Sequence, residues 1–382
     1  MEIRLFSNSL KFIPTLVFAF LMSFSVVRAA NVETVSVTEV ESSNQEVNSQ
    51  TEEEKGFDIT SFIFHHIADA HSFTIIGSGE DWVGIHLPII LYTPNGFVTF
   101  SNSEFQMDEE AKVVVEKKGQ KFVKYHGKIY YANDVAEEGK YVTYDADHKV
   151  ANVRPLDLSI TKNVFTILLS FVVLLWVFLS VAKGYKKRQG KAPKGLQSFI
   201  EPLILFVRDE IARPNLGHKY EKFMPYLLTV FFFIWFNNML GLVPFFPGSA
   251  NVTGNIAVTM VLAIITLLII LFNGNKNYWG HIFNPPVPWW LKPLLVPVEI
   301  FGIFTKPAAL AIRLFANITA GHILVLSLLC LVFIFNSLAI VPASVIFVMF
   351  ITLIEFLVAF IQAFIFTMLS ALFIGMAIED HH

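Results

Sequence analysis

From about residue 159 onward the chain is a succession of long apolar runs separated by short polar breaks. The runs cover about 162–182, 224–243, 255–273, 294–341 and 345–378. A helix rising 1.5 Å per residue needs about 20 residues to cross a hydrocarbon core of about 30 Å, so the pattern predicts five membrane-embedded helices. The fourth run is too long for one perpendicular crossing and too short for two, and the fifth is also overlong. Each is expected to be one long, tilted helix. Between the first two runs, residues 196–213 (LQSFIEPLILFVRDEIAR) have a broad apolar face interrupted by charge. That pattern suits an amphipathic helix lying along the membrane surface, with a short helix docked on a partner as the alternative.

The first 158 residues follow other rules. Residues 1–30 carry Arg4 and Lys11, then the apolar run Phe12–Val27, and finish Val27-Arg28-Ala29-Ala30. This order reads as a secretory signal peptide, with a retained anchor as the alternative. Residues 31–56 are polar and acidic without apolar periodicity and predict a disordered linker. Over 57–158 short β-type runs appear: LPIILYT and FVTF flank Pro94-Asn95-Gly96, while KFVKY and KIYYA flank His126-Gly127. Both predict hairpins, so this exported, periplasmic segment is expected to be β-rich in part. The fold class is therefore an all-α polytopic membrane domain, 159–382, behind an exported β-rich extension.

Composition sharpens the division. The chain is 54% hydrophobic and 15% charged, against about 25% charged in a soluble domain. Residues 31–158 hold 22 acidic and 10 basic side chains, whereas 223–378 hold only Lys276, Lys292, Glu299, Lys306, Arg313 and Glu355. Nucleic acid is excluded as a partner for either part. The loop 183–222 has ten Lys or Arg against four acids, which assigns it to the cytoplasm and, with five spans, puts the C-terminus there too. A lone cysteine, Cys330, leaves no disulfide or CxxC chemistry. His65, His66 and His71 lack the acidic or cysteine partners of a metal site, so no metal or cofactor is expected.

The few charges in the apolar region carry the chemistry. Glu299, Lys306 and Arg313 are seven apart and Asn317 is four beyond, so they share one helix face. Glu355 and Gln362 share a face of the last helix in the same way. If the two long helices pack antiparallel, Arg313 comes level with Gln362 and His322 with Glu355, at two levels about 10–14 Å apart. An arginine keeps its proton, and one placed in mid-membrane is costly unless it faces protein or a wet cavity. No Asp or Glu stands three or four residues from Arg313, so its counter-charge has to come from elsewhere. For Lys306, Asn317, Asn238 and Asn255 ordinary packing bonds are the competing explanation.

These residues resemble the a subunit of the membrane sector of rotary F-type ATP synthase. KPAALAIRLFANITAGH is similar to that family's arginine-helix motif and IQAFIFTMLS to its last-helix motif. ITKNVFTILLSFVVLLWVFLSVAK, FNNMLGLVP and NVTGNIAVT are similar to the family's first, second and third helices, and FIFHHIADAH to the short segment before the first. The resemblance implies a non-catalytic, proton-translocating stator subunit whose Arg313 faces a ring of c subunits bearing carboxylates. Gln362 and Asn317 would line the same interface, Glu299 the cytoplasmic half-channel, and His322 with Glu355 the periplasmic one. Lys306 would tune the inner route or snorkel, and Asn238 and Asn255 would be auxiliary.

Further partners implied are b-type peripheral stalk subunits, the soluble F1 sector and the lipid bilayer of a bacterial inner membrane. The family pattern leaves 73–158 unexplained, open to an unknown periplasmic partner. A sodium-translocating version of the same subunit is the alternative, and an unrelated secondary ion transporter is a more distant one. The latter would show an internal repeat, and no second copy of the Arg313 segment exists.

Overall fold

The computed structural model describes residues 63, 67–76, 83–134, 136, 139–145, 150–189, 191–243, 246–248, 250–335 and 340–379. The expected signal peptide over 1–30, the linker over 31–56, and His65 and His66 lie outside the described residues. The described chain forms two compact units, one of 68–166 with 243–250 and one of the remaining helical segments.

The first unit is built on short strands. β1 (Ser72–Ile76) pairs with β2 (Val83–His86); β3 (Pro88–Thr93) lies between β4 (Gly96–Ser101) and β8 (Leu156–Asp157); and β6 (Gln120–Tyr125) lies between β5 (Val115–Lys117) and β7 (Lys128–Tyr131), all antiparallel. Both hairpins expected from the sequence form. Alternation puts Ile89, Leu91, Val98 and Phe100 into one core with Phe105, Val115, Phe122 and Ile129. The β6–β7 turn holds His126 and Gly127 at φ 46° and 73°, and the β5–β6 turn holds Lys118 and Gly119 at 51° and 72°. Positive φ at both central residues is the two-residue geometry that matches strand twist, and glycine fills it without a Cβ penalty.

At its base this unit holds the first turn of α1 (Lys162–Lys187). The orphan N–H groups of that helix end find side-chain acceptors: Thr161 Oγ1 takes the Val164 N–H at 3.4 Å and Asp69 Oδ1 takes the Asn163 N–H at 3.1 Å. Burial nevertheless pushes the Asp69 carboxyl up, against Thr161, Asn163, Lys162 and His71, which all favour its charge. Phe73 stacks edge-on against Phe165 and Phe246 at 5.5 and 5.3 Å.

The second unit is helical. Beyond α1 come α2 (Leu196–Phe206), a π-helical turn Val207–Ala212, α3 (Arg213–Leu216), α4 (Tyr220–Leu242), α5 (Ile256–Asn273), α6 (Lys276–Phe283), α7 (Lys292–Phe335) and α8 (Val341–Ile378). Among the described residues five helical runs are long and apolar enough to cross a membrane: 162–187, 196–242, 256–273, 292–332 and 341–378. The protein is a multi-pass membrane protein. At 44 and 38 residues, α7 and α8 are about 66 and 57 Å long, well above the hydrocarbon thickness.

α8 packs against α4, α5 and α7. The α2–α3 run docks on the chain's own bundle: Phe206 meets Phe231 of α4 and Phe360 and Phe364 of α8, with ring centroids 5.6–6.4 Å apart. The helical segment expected over 196–213 thus reaches Leu216 through a π-helical turn, stapled by Asp209 between Arg208 and Arg213 at 2.9 and 2.7 Å.

Candidate translocation site

Three contacts fix how the two long helices meet. Ser344 donates its hydroxyl to the Leu328 carbonyl, Glu355 lies on Gly321, and the Lys306 ammonium stands 5.8 Å from the Phe373 ring. As numbers fall along α7 they rise along α8, so the helices are antiparallel. At Gly321 a side chain is missing, and the Glu355 carboxylate occupies the place a Cβ would take, with its Cδ and Cγ 3.1 and 3.3 Å from that position. His322 follows directly, at the same level. Seven residues on from Glu355 is Gln362 and eight back from Gly321 is Arg313, displacements of about 10.5 and 12 Å along the two axes. The two pairings suggested by sequence therefore lie at two separate levels.

Surroundings differ sharply between them. Gln362 is buried at 6% exposure, whereas Arg313 and, one turn on, Asn317 are exposed. No hydrogen bond or ion pair joins Arg313 to any described residue. It stands beside a bare face: residues 301, 305, 309, 312, 316 and 320 of α7 are exposed at steps of three and four, as are 346, 350, 353, 357 and 361 of α8. On α7 three of the four stripe residues around the arginine are small, Ala309, Ala316 and Ala320, with Ile312 the fourth. Small residues there let a neighbouring helix come close.

At the far end of α7 from Gly321, Glu299 and Lys306 open into a cavity of about 400 Å³. Asn277, Tyr278 and His281 of α6, Phe373 and Met376 of α8, and Glu379 just beyond it line it too, with Ile270, Ile282 and Ile303 as its aliphatic wall. Burial, then the negative charge of Glu299, pushes the Tyr278 phenol up, so it remains a protonated donor beside that carboxylate. Sequence reasoning did not find the α6 contribution. Its only local signal is Tyr278 and His281 three apart in a short segment rich in aromatic residues.

The two auxiliary asparagines serve packing bonds. Asn238, buried, accepts from Thr253 Oγ1 and donates to the Ala359 carbonyl of α8 at 3.4 Å. Asn255 caps α5, its Oδ1 accepting the Ala257 N–H at 3.0 Å. Thr319 of α7 reaches the Gly254 carbonyl at 3.5 Å, which fastens the loop before α5 to the long helix.

Arg313 thus has no partner among the described residues and stands on a bare helix face, with a carboxylate on either side along the axis. Comparison with known proteins gives the chain a family. The family model described as ATP synthase A chain matches residues 164–375, and a model described as a domain of unknown function (DUF8433) matches 62–158. The ATP synthase subunit a of Chloroherpeton thalassium is 49% identical over 234 residues, covering 59% of this chain and 69% of that protein. The ATP synthase subunit a 2 of Chlorobaculum tepidum is 48% identical over 232 residues, covering 59% and 65%. The subunit a of Myxococcus xanthus is 45% identical over 234 residues, covering 59% and 75%. With more than half of its length matched by the family model and both Arg313 and Gln362 inside that match, the chain belongs to the ATP synthase subunit a family.

Proposed function

We propose that this chain passes protons through two offset half-channels against a ring of c subunits, so that each proton crosses the membrane only by riding the ring. The carrying observation is the position of Arg313: exposed on the bare α7 face, without a partner among the described residues, and axially between the Glu299 cavity and the Glu355–Gly321 contact. A ring carboxylate that arrives deprotonated is attracted to the guanidinium. It is reprotonated from one half-channel before turning toward lipid, where its charge is expensive. The fixed positive charge between the two carboxylate sites keeps them from joining into one continuous proton wire.

In this reading His322 and Glu355 exchange protons with the periplasm and Glu299 with the cytoplasm, while Gln362 and Asn317 supply hydrogen-bonding groups beside Arg313. Lys306 lies along the inner cavity, its charge near Phe373. The basic loop 183–222 faces the cytoplasm and the strand-built unit lies outside a bacterial inner membrane. Peripheral stalk and F1 subunits hold the chain still while the ring turns, and the unit of 73–158 is free to engage a periplasmic partner. The driving energy is about 2.3 kcal/mol per charge for each 100 mV.

The test is ATP-driven acidification of inverted vesicles carrying the assembled complex. Arg313→Ala should abolish pumping with assembly intact, with a new passive proton leak as a further sign. Full coupled pumping in an assembled Arg313→Ala complex overturns the assignment.

A further inference from the structure

The inner cavity contains one imidazole. His281 projects from α6, three residues after Tyr278 and on the same face of that helix, into the cavity that Glu299 lines from α7. His281 is exposed and Glu379, across the opening, is exposed too, whereas Glu299 is half-buried. The cavity therefore runs from a wet mouth marked by His281 and Glu379 to a more enclosed carboxylate. Its volume of about 400 Å³ is many times the roughly 30 Å³ share of one water, and its lining of Asn277, Tyr278, His281 and Glu379 offers that water partners.

The chemistry of the other groups leaves one side chain suited to the transfer. Facing His281 are Tyr278 on its own helix, Glu299 and Lys306 of α7, and Glu379 after α8; the α5 contribution is the apolar Ile270. The Tyr278 phenol stays protonated, and the Lys306 side chain offers donors but no acceptor. Carboxylates at a wet mouth hold a proton too briefly to store one. Imidazole is the side chain that both binds and releases protons near neutrality, through two distinct nitrogens.

We propose that His281 is a proton-relay residue of the inner half-channel, exchanging protons between bulk water and Glu299. In the pumping direction one ring nitrogen accepts a proton from water and the other gives its proton, through cavity water, to the Glu299 carboxylate. The imidazole is left neutral in the opposite tautomer and returns by reversing the ring or exchanging with water. No redox change or covalent bond to the chain is involved. Glu379 acts with it by raising the local proton concentration at the mouth. This inference rests on the half-channel reading above.

The experiment measures ATP-driven acidification of inverted vesicles between pH 6.5 and 8 for native, His281→Gln, His281→Asn, Glu299→Gln and Arg313→Ala complexes. Rates are normalised to membrane-bound ATPase, so only assembled complexes are compared. For both His281 variants, pumping is expected to fall roughly tenfold at pH 8 and less than about twofold at pH 6.5, where bulk protons are more abundant. Millimolar imidazole in the medium should restore it. A merely structural role would lower pumping equally at all pH values and would not respond to imidazole. Native-like pumping at pH 8, or a uniform loss without imidazole rescue, overturns the relay. If Arg313→Ala and Glu299→Gln still block pumping, the half-channel reading survives that result; if they too pump normally, the broader reading falls as well.

Discussion

Gly321 offers a perturbation that separates proton handling from stability. In Gly321→Ala the new Cβ lands on the Glu355 carboxylate, and since the Glu355 Cδ and Cγ stand only 3.1 and 3.3 Å from the Cβ position, the whole side chain beyond its Cβ must swing aside. The obstacle is the end of a flexible chain, so the cost is that of a displaced rotamer, about 0.5–1.5 kcal/mol. Replacing a mid-helix glycine with alanine returns about 1 kcal/mol through helix propensity. The two nearly cancel, and the assembled complex should have close to native thermal stability. The carboxylate, however, moves by an ångström or more, and misplacement of that size costs up to about a hundredfold in rate. ATP-driven acidification by assembled vesicles should therefore fall roughly tenfold to a hundredfold while membrane-bound assembly stays constant. Adding Glu355→Asp, which removes the carboxylate oxygen lying on the new Cβ and leaves only the atoms at 3.1–3.3 Å, should recover part of the loss, and the double-mutant cycle should show coupling between the two positions. Unchanged pumping in assembled Gly321→Ala refutes the idea that the Glu355–Gly321 contact is part of the proton route.

Other substitutions read different parts of the structure. At Gly375 the atom in the way is the Asn215 backbone carbonyl, whose carbon lies 3.2 Å from the Cβ position; it cannot rotate away. Gly375→Ala should cost about 1–3 kcal/mol through overpacking, more than propensity returns, and appear as a lower unfolding temperature of the complex. Asn238→Ala leaves the Thr253 hydroxyl and the Ala359 carbonyl of α8 without their partner, an expected loss of about 1–3 kcal/mol with pumping per assembled complex unchanged. In the strand-built unit, Lys124, 3% exposed and 2.6 Å from Glu109, should when changed to Met destabilise by about 1–3 kcal/mol, read by protease sensitivity of that unit.

The pH response of that unit has a definite sign. Burial pushes the Asp157 carboxyl up, but the His71 imidazole and the Ser159 hydroxyl and N–H outweigh it and hold it below the usual carboxylate value of 3.8. Its contribution is present above that value and is lost as pH falls through the lowered one. Asp69 has the opposite sign: its raised carboxyl favours the folded unit below 3.8 and works against it once the pH climbs past its folded value. Asp157→Asn should lower protease protection at pH 7 and flatten the acid side of the profile. A native-like profile in that variant would show that the His71–Asp157 pair, 3.7 Å apart, does not hold the unit together.

What could be read in the sequence follows the range of the interactions. Apolar runs, turns and helical spacing are local, so the five long helices, the hairpins at Pro94–Gly96 and His126–Gly127, and the common face of Glu299, Lys306 and Arg313 are visible in the residues themselves. Lys118-Gly119 makes the same turn as His126-Gly127, yet β5 before it is only three residues long, Val115–Lys117, too short for period-two alternation to register. The α6 wall of the inner cavity is not legible for a related reason. Eight residues make two turns of helix, and nothing local says that this segment folds back beside Glu299 from α7 and Glu379 beyond α8. Asp69 capping a helix that begins at Lys162 is likewise a contact across ninety-four positions, which spacing alone does not encode.

The bare stripe on α7 and α8 separates two ways of stabilising a charge in a membrane-spanning helix. A chain that had to shield Arg313 by itself would place a carboxylate one turn away or fold a helix over it; this one instead flanks it with Ala309, Ile312, Ala316 and Ala320, and it has no partner among the described residues. Facing lipid, such an arginine costs about 2.5–3.5 kcal/mol at the bilayer centre on insertion scales. That is a large fraction of the 5–15 kcal/mol that separates folded from unfolded states in ordinary domains. A permanent internal partner would remove the cost and also fix the charge to one mate. An incoming carboxylate would then have to displace that mate at every step. Leaving the charge unpaired on a surface smooth enough for another helix to pass transfers its stabilisation to whatever moves across it. The same logic applies to Glu355 on a glycine and Glu299 in an open cavity: neither lies within one helical turn of Arg313 in sequence, so neither is placed to form a lasting ion pair with it along its own helix.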